Sequence, residues 1–126
     1  MQVKFYICQH CGNILFTVCD SGVVPTCCSD PMQELKAGTT DAATEKHVPV
    51  YGVDGNKVTV QVGEVEHPMM PYHYIGWICV ETANGQVLFK ELSPKDAPVA
   101  EFALAEGDSV KNVYAWCNQH GLWKAE

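Results

Sequence analysis

Five of the seven cysteines in this 126-residue chain, Cys8, Cys11, Cys19, Cys27 and Cys28, fall within the first 28 residues. Cys8 and Cys11 have two residues between them and precede Gly12. That spacing lets two sulfurs converge on one ion, and the glycine permits the tight backbone turn. Cys27 and Cys28 form a second pair. Adjacent cysteines make a poor disulfide with each other, yet both face a metal if the backbone turns between them. Together the two pairs predict a tetrahedral four-sulfur site suited to iron or zinc. Chains of about 40 residues rarely hold together on an apolar core alone and need a staple. Residues 1–36 are therefore read as a metal-stapled module. Cys19 is a spare thiol, and His10, inside the knuckle, is read as exposed rather than ligating.

Residues 37–126 are long enough to bury a core of their own. The stretch 36–46, KAGTTDAATEK, is small and polar and reads as a linker or ordered loop. Beyond it, KVTVQVGEV (57–65) alternates, with Val58, Val60 and Val62 on one face. YIGWICVE (74–81), QVLFKEL (86–92), VAEFALA (99–105) and VKNVYAW (110–116) follow, each bounded by turn signals. Asp54-Gly55 and Asn84-Gly85 suit tight hairpins because both supply positive φ cheaply. No segment carries a helical period. The expectation is an all-β chain, with an antiparallel β-sandwich following the small module.

Composition excludes several classes of function. A hydrophobic content of 47% with 18% charged residues reads as globular. MQVKFYICQHCG lacks the apolar run of a signal peptide, and no segment is long enough to span a bilayer, so a cytoplasmic protein is expected. A net charge of −7 disfavours nucleic acid and anionic membranes as partners. An odd cysteine count without an export signal argues against a disulfide framework and for metal or redox chemistry.

The histidines outside the knuckle are His47, His67, His73 and His120. All lie at ends of predicted strands or in the loops joining them, His47 at the start of a strand in EKHVPV and the next two around the proline-bearing loop HPMMPYH. CNQHG then pairs Cys117 with His120 near the end of the chain. A lone histidine on a strand is ordinary. Four of them with a Cys-x-x-His pair predict a shared metal site. Blue-copper sites also combine an early histidine with a late Cys-x-x-His segment, but they use two histidines and a weak axial methionine, and GLWKAE holds none. Four imidazoles around iron with one axial thiolate would leave a sixth position open for a small oxygen species.

Taken together, CQHCGN…TCCSDPM, TEKHVPV, HPMMPYHYIGWI and CNQHGLWKAE resemble the superoxide reductase family, in its two-iron desulfoferrodoxin type, over essentially the whole chain. The resemblance implies a desulforedoxin-like domain (1–36) binding one iron through Cys8, Cys11, Cys27 and Cys28. An immunoglobulin-like sandwich (37–126) would carry a second iron. His47, His67, His73 and His120 would be its equatorial ligands, Cys117 its axial ligand, and Glu45 and Lys46 would flank the open face. It further implies one-electron reduction of superoxide to hydrogen peroxide, a rubredoxin-like electron donor, and a homodimer. A non-catalytic iron electron-transfer protein is the alternative. Cys19 and Cys79 have no ligand role in the pattern, and Cys79 sits in an apolar strand as core packing. Tyr74 stands where the family often has tryptophan.

The charge poses a puzzle for an anionic substrate. Screening over about 8 Å at physiological salt makes local charge decisive, and Lys46, beside His47, is the residue that would supply it. Hydrogen bonds to the Cys117 sulfur are expected from backbone amides near Asn118 and Gln119.

Overall fold

A computed structural model describes residues 3–39 and 42–126. Thr40 and Asp41 of the expected linker lie outside the described residues. The chain divides into two compact units, residues 1–36 and 37–126.

The first unit is built from short strands: β1 (Phe5–Ile7), β2 (Ile14–Phe16), β3 (Thr26–Cys27), β4 (Asp30–Pro31) and β5 (Gln33–Leu35). β1 lies between β2 and β5, antiparallel to both, while β3 and β4 form a separate hairpin. Its buried cluster is small: Tyr6, Cys8 and Met32, with Cys27 packed against them. A cysteine expected to bind metal, Cys8, thus sits inside this small cluster.

The second unit begins with one helical turn, α1 (Thr44–His47), and continues through β6 (Pro49–Asp54), β7 (Lys57–Val62), β8 (Ile75–Thr82), β9 (Val87–Glu91), β10 (Val99–Ala103), β11 (Val110–Cys117) and β12 (Gly121–Lys124). Two antiparallel sheets, ordered β10-β7-β6 and β12-β11-β8-β9, make a seven-stranded immunoglobulin-like sandwich. Val58, Val60 and Val62 from one sheet meet Ile75, Ile78, Val80, Val113 and Ala115 from the other, all fully buried. Each of these valines and isoleucines contributes about 1.5–3 kcal/mol on leaving water. Cys79 is fully buried, on the opposite side of β8 from Ile78 and Val80.

Three elements differ from the sequence expectation. His47 closes a helical turn rather than opening a strand, because four residues are too few to show a period. β6 carries no alternation: after Pro49 every residue is exposed, as suits a strand at the sheet edge. The chain also continues past His120 into β12, which pairs with β11. In the β6–β7 hairpin the turn residues are Gly55 and Asn56, with Asp54 paired to Lys57. No helix among the described residues is long and apolar enough to cross a membrane.

Candidate metal centres

In the first unit Cys8 follows β1, and the chain folds back so that the Gly12 amide donates to the Cys8 carbonyl (2.9 Å) and the Cys8 amide to that of Asn13 (2.8 Å). Gly12 takes φ +79°, a conformation that a Cβ would strain. The second pair depends on a rarer device. Cys27 pairs with Asp30, leaving Cys28 and Ser29 as a two-residue turn with φ of +52° and +68°. Positive φ at both positions marks a type I′ hairpin turn, normally the preserve of Asn and Gly. That turn brings the Cys27 and Cys28 sulfurs within 4.0 Å of each other and Cys27 within 3.7 Å of Cys11.

All four sulfurs lie within 4.8 Å of one another. The Cys11 amide draws Cys8 down to about 6, whereas hydrogen bonding to Cys8 pushes Cys27 up to about 12. Without a cation the sulfurs must share protons, as expected of four close thiols whose charges only a metal could balance. Cys19 lies outside the group and is exposed, and His10 reaches the Asp30 carboxylate (2.5 Å) rather than a sulfur.

In the sandwich, ligand atoms of His47, His67, His73 and Cys117 also lie within 4.8 Å of one another. His120 stands at the edge of this set: its Nδ1 is 3.1 Å from His47 Nε2 and 4.0 Å from Cys117 Sγ. The four rings form a quadrilateral. Neighbouring centroids are 4.7 Å (47–67), 4.7 Å (67–73), 5.1 Å (73–120) and 4.9 Å (120–47) apart, each pair nearly perpendicular. The 47–73 diagonal is 6.4 Å, with those two rings stacked.

The donor atoms test whether a metal fits. His47 Nε2 is 3.2 Å from His67 Nε2 as well as 3.1 Å from His120 Nδ1. Four nitrogens about 2.1 Å from a shared centre would have neighbours about 3.0 Å apart, so the spacing matches a square of metal donors. His47 Nδ1 and His67 Nδ1 lie 2.7 Å from the carbonyl oxygens of Ala43 and Pro68. Donation to those carbonyls directs the Nε2 lone pairs inward. His73 Nε2 is buried with no hydrogen-bond partner, as a donor atom awaiting an ion would be. Burial, aided by mutual repulsion, lowers the pKa of His47, His67 and His73, that of His67 to about 4, so the rings stay neutral and able to ligate.

Cys117 is fully buried, with Sγ 3.4 Å from His67 Nε2. The register between β11 and β8 shifts between Trp116 and Cys117, a bulge that re-aims the side chain at the strand end. Burial pushes the thiol pKa up, and the Gln119 and His120 amides pull it back. The Asn118 amide, one of the donors expected for the sulfur, goes to the Tyr74 carbonyl instead (3.1 Å). Asn118 Oδ1 accepts from the Tyr74 amide, and Gln119 Nε2 donates to the Tyr72 carbonyl, so this turn also clamps the segment bearing His73. That clamp had no signal in the sequence.

α1 carries Glu45, Lys46 and His47 together. Lys46 is exposed, and its charge helps to depress both His47 and His73, which places it beside the cluster. Glu45 borders a cavity of about 320 Å³ with Thr44, Tyr51 and Glu64 among its walls. The backbone of α1 rests on Gly63. A Cβ there would lie 2.5 Å from both the Glu45 carbonyl oxygen and the Lys46 carbonyl carbon, and φ is +89°.

The desulfoferrodoxin family profile matches residues 39–126. The chain belongs to the desulfoferrodoxin family. It is 46% identical to the desulfoferrodoxin of Nitratidesulfovibrio vulgaris over 125 residues, covering 99% of this chain and 97% of that one. The crystal structure of the superoxide reductase from Treponema pallidum superposes with a TM-score of 0.85 at 38% identity, covering 100% of both chains. The one-iron superoxide reductase of Giardia intestinalis is similar over 64% of this chain and 94% of its own length, with a TM-score of 0.54 and 33% identity. The family binds iron, and the four-cysteine group and the histidine–cysteine group are consistent with two iron centres.

Proposed function

We propose that the chain is a superoxide reductase, an oxidoreductase that converts superoxide to hydrogen peroxide with one electron and two protons. The observation that carries this reading is the square of four imidazoles joined by one buried thiol. His47, His67, His73, His120 and Cys117 would hold a ferrous iron, which would supply the electron. The protein's part is to hold these donors rigid. Backbone carbonyls fix two imidazole tautomers, and the Gln119 and His120 amides temper the charge on the Cys117 sulfur.

Lys46 answers the charge puzzle. A cation beside the cluster is felt over the screening length, although the chain carries −7 overall. It steers the anion inward and orders water for proton delivery. Glu45, on the same helical turn, is assigned the role of closing the face after turnover. Cys8, Cys11, Cys27 and Cys28 hold the first iron. A rubredoxin-like protein supplies electrons, and the chain works as a cytoplasmic homodimer.

Pulsing superoxide into the reduced, iron-loaded protein tests the reading. One peroxide per superoxide without oxygen release is expected. Oxygen release without any reductant would mark a dismutase, and an iron that ignores the pulse would mark a pure electron carrier. Lys46→Ala is expected to slow the encounter roughly tenfold and flatten its salt dependence; an unchanged rate removes Lys46 from the mechanism.

A further inference from the structure

Trp123 belongs to no ligand set, yet it touches the histidine cluster at two points. It lies on β12 opposite Ala115, a residue of the sandwich core, and is only 6% exposed. Its ring centroid is 5.0 Å from that of His47, with the planes 31° apart. Its Nε1–H donates to the His120 carbonyl at 3.0 Å. His47 and His120 are 73 positions apart in sequence, and their inward nitrogens lie 3.1 Å from each other. One indole therefore braces an edge of the square whose two corners come from distant segments.

We propose that Trp123 is a positioning residue for the histidine–cysteine centre, setting the ring angle of His47 and the pose of the turn that carries His120. The physical argument has two parts. The Nδ1 contact with Ala43 leaves His47 one remaining freedom, tilt about that contact, and the indole face walls it off. The His120 carbonyl belongs to the turn whose Gln119 and His120 amides act on Cys117. Freed of its indole donor, that carbonyl seeks another partner and the turn shifts. Weaker amide donation leaves more electron density on the sulfur.

The inference rests on the metal-site assignment above but not on superoxide chemistry, so its test reads spectra and iron retention rather than turnover. Full-length protein carrying iron at both centres is compared with Trp123→Phe and Trp123→Leu. The cooperative thermal transition of the sandwich, the unit that carries Trp123, serves as the control for folding. Trp123→Phe keeps a ring against His47 and loses the hydrogen bond. Its sulfur-to-iron band should move to longer wavelength, with iron retained. Trp123→Leu loses both contacts, and a ferrous chelator should strip its histidine-bound iron at least tenfold faster than from the parent. The proposal is overturned if Trp123→Phe, with the sandwich transition intact, leaves both the band and the rate of iron release unchanged. A parent protein that fails to reduce superoxide while these shifts appear sinks the proposed function and leaves the role of Trp123 standing.

Discussion

The two metal-ligand groups are assembled in opposite ways. In the first unit, two knuckles close in sequence bring four sulfurs together, and a ligand, Cys8, is part of the buried cluster itself. In the sandwich, donors come from α1, from two ends of the loop between β7 and β8, and from the β11–β12 turn, and although Cys117 touches the core, twelve other buried residues among those described form a core that needs no ion. A local site folds with its metal. A distributed site is presented by a fold that already exists.

Removing metal should separate the two most sharply. With a strong chelator present, residues of the first unit are expected to lose their dispersed NMR signals, because structural metals of this kind contribute about 10–16 kcal/mol to small modules. The sandwich should keep a cooperative thermal transition. A first unit that stays folded without metal would break the contrast.

Single ligand changes sharpen it next. Cys117→Ser should abolish the sulfur-to-iron band of the second centre and the activity, leaving the four-cysteine spectrum in place. Cys11→Ser should do the reverse, damaging the first centre while superoxide reduction persists at the second. Loss of both centres in either variant would show that they are not separate.

Gly63→Ala gives a smaller effect. The new methyl meets the backbone of Glu45 and Lys46, and strain of this kind costs about 1–3 kcal/mol. Denaturant melts should show this loss in the sandwich, with a slower superoxide encounter as Lys46 shifts. A wild-type midpoint would mean that α1 yields without cost.

The effect that is smallest at neutral pH, and grows only on acidification, is on pH dependence. In metal-free protein the His67 pKa is held near 4, below the ordinary value of 6.5, chiefly by burial. The unfolded chain therefore binds the extra proton first as pH falls. The stability contributed by neutral His67 is whole above about 6.5 and declines as pH drops toward 4. His67→Gln should flatten that decline in urea titrations of the metal-free protein. An equal slope in both would assign it to other groups.

The same contrast explains what the sequence made legible. Cys8-x-x-Cys11-Gly12 reads directly because its geometry is local, and Val58, Val60 and Val62 read as core because alternation is the period of a strand. The histidine square did not read from spacing, since nothing in the distance from His67 to His120 says that they meet. Four histidines with a Cys-x-x-His pair pointed to a shared site, and the combined motifs assigned each residue its place in it. α1 escaped because one turn has no period, and β6 because an exposed edge strand has no alternation. That His120 presents Nδ1 while His47 and His67 present Nε2 is set by the tight Cys117–Gly121 turn, a matter of backbone geometry that residue identity does not encode.

Cys79 has no metal role, and where it sits has a chemical consequence. Burial pushes its pKa up to about 12, so at neutral pH it stays a thiol, the form that peroxide scarcely attacks. Cys19, by contrast, is open to solvent. A chain that releases oxidant beside its own sulfurs would thus keep its interior spare cysteine insulated. Ageing damage such as sulfenate or sulfinate should accumulate first at the outward-facing one.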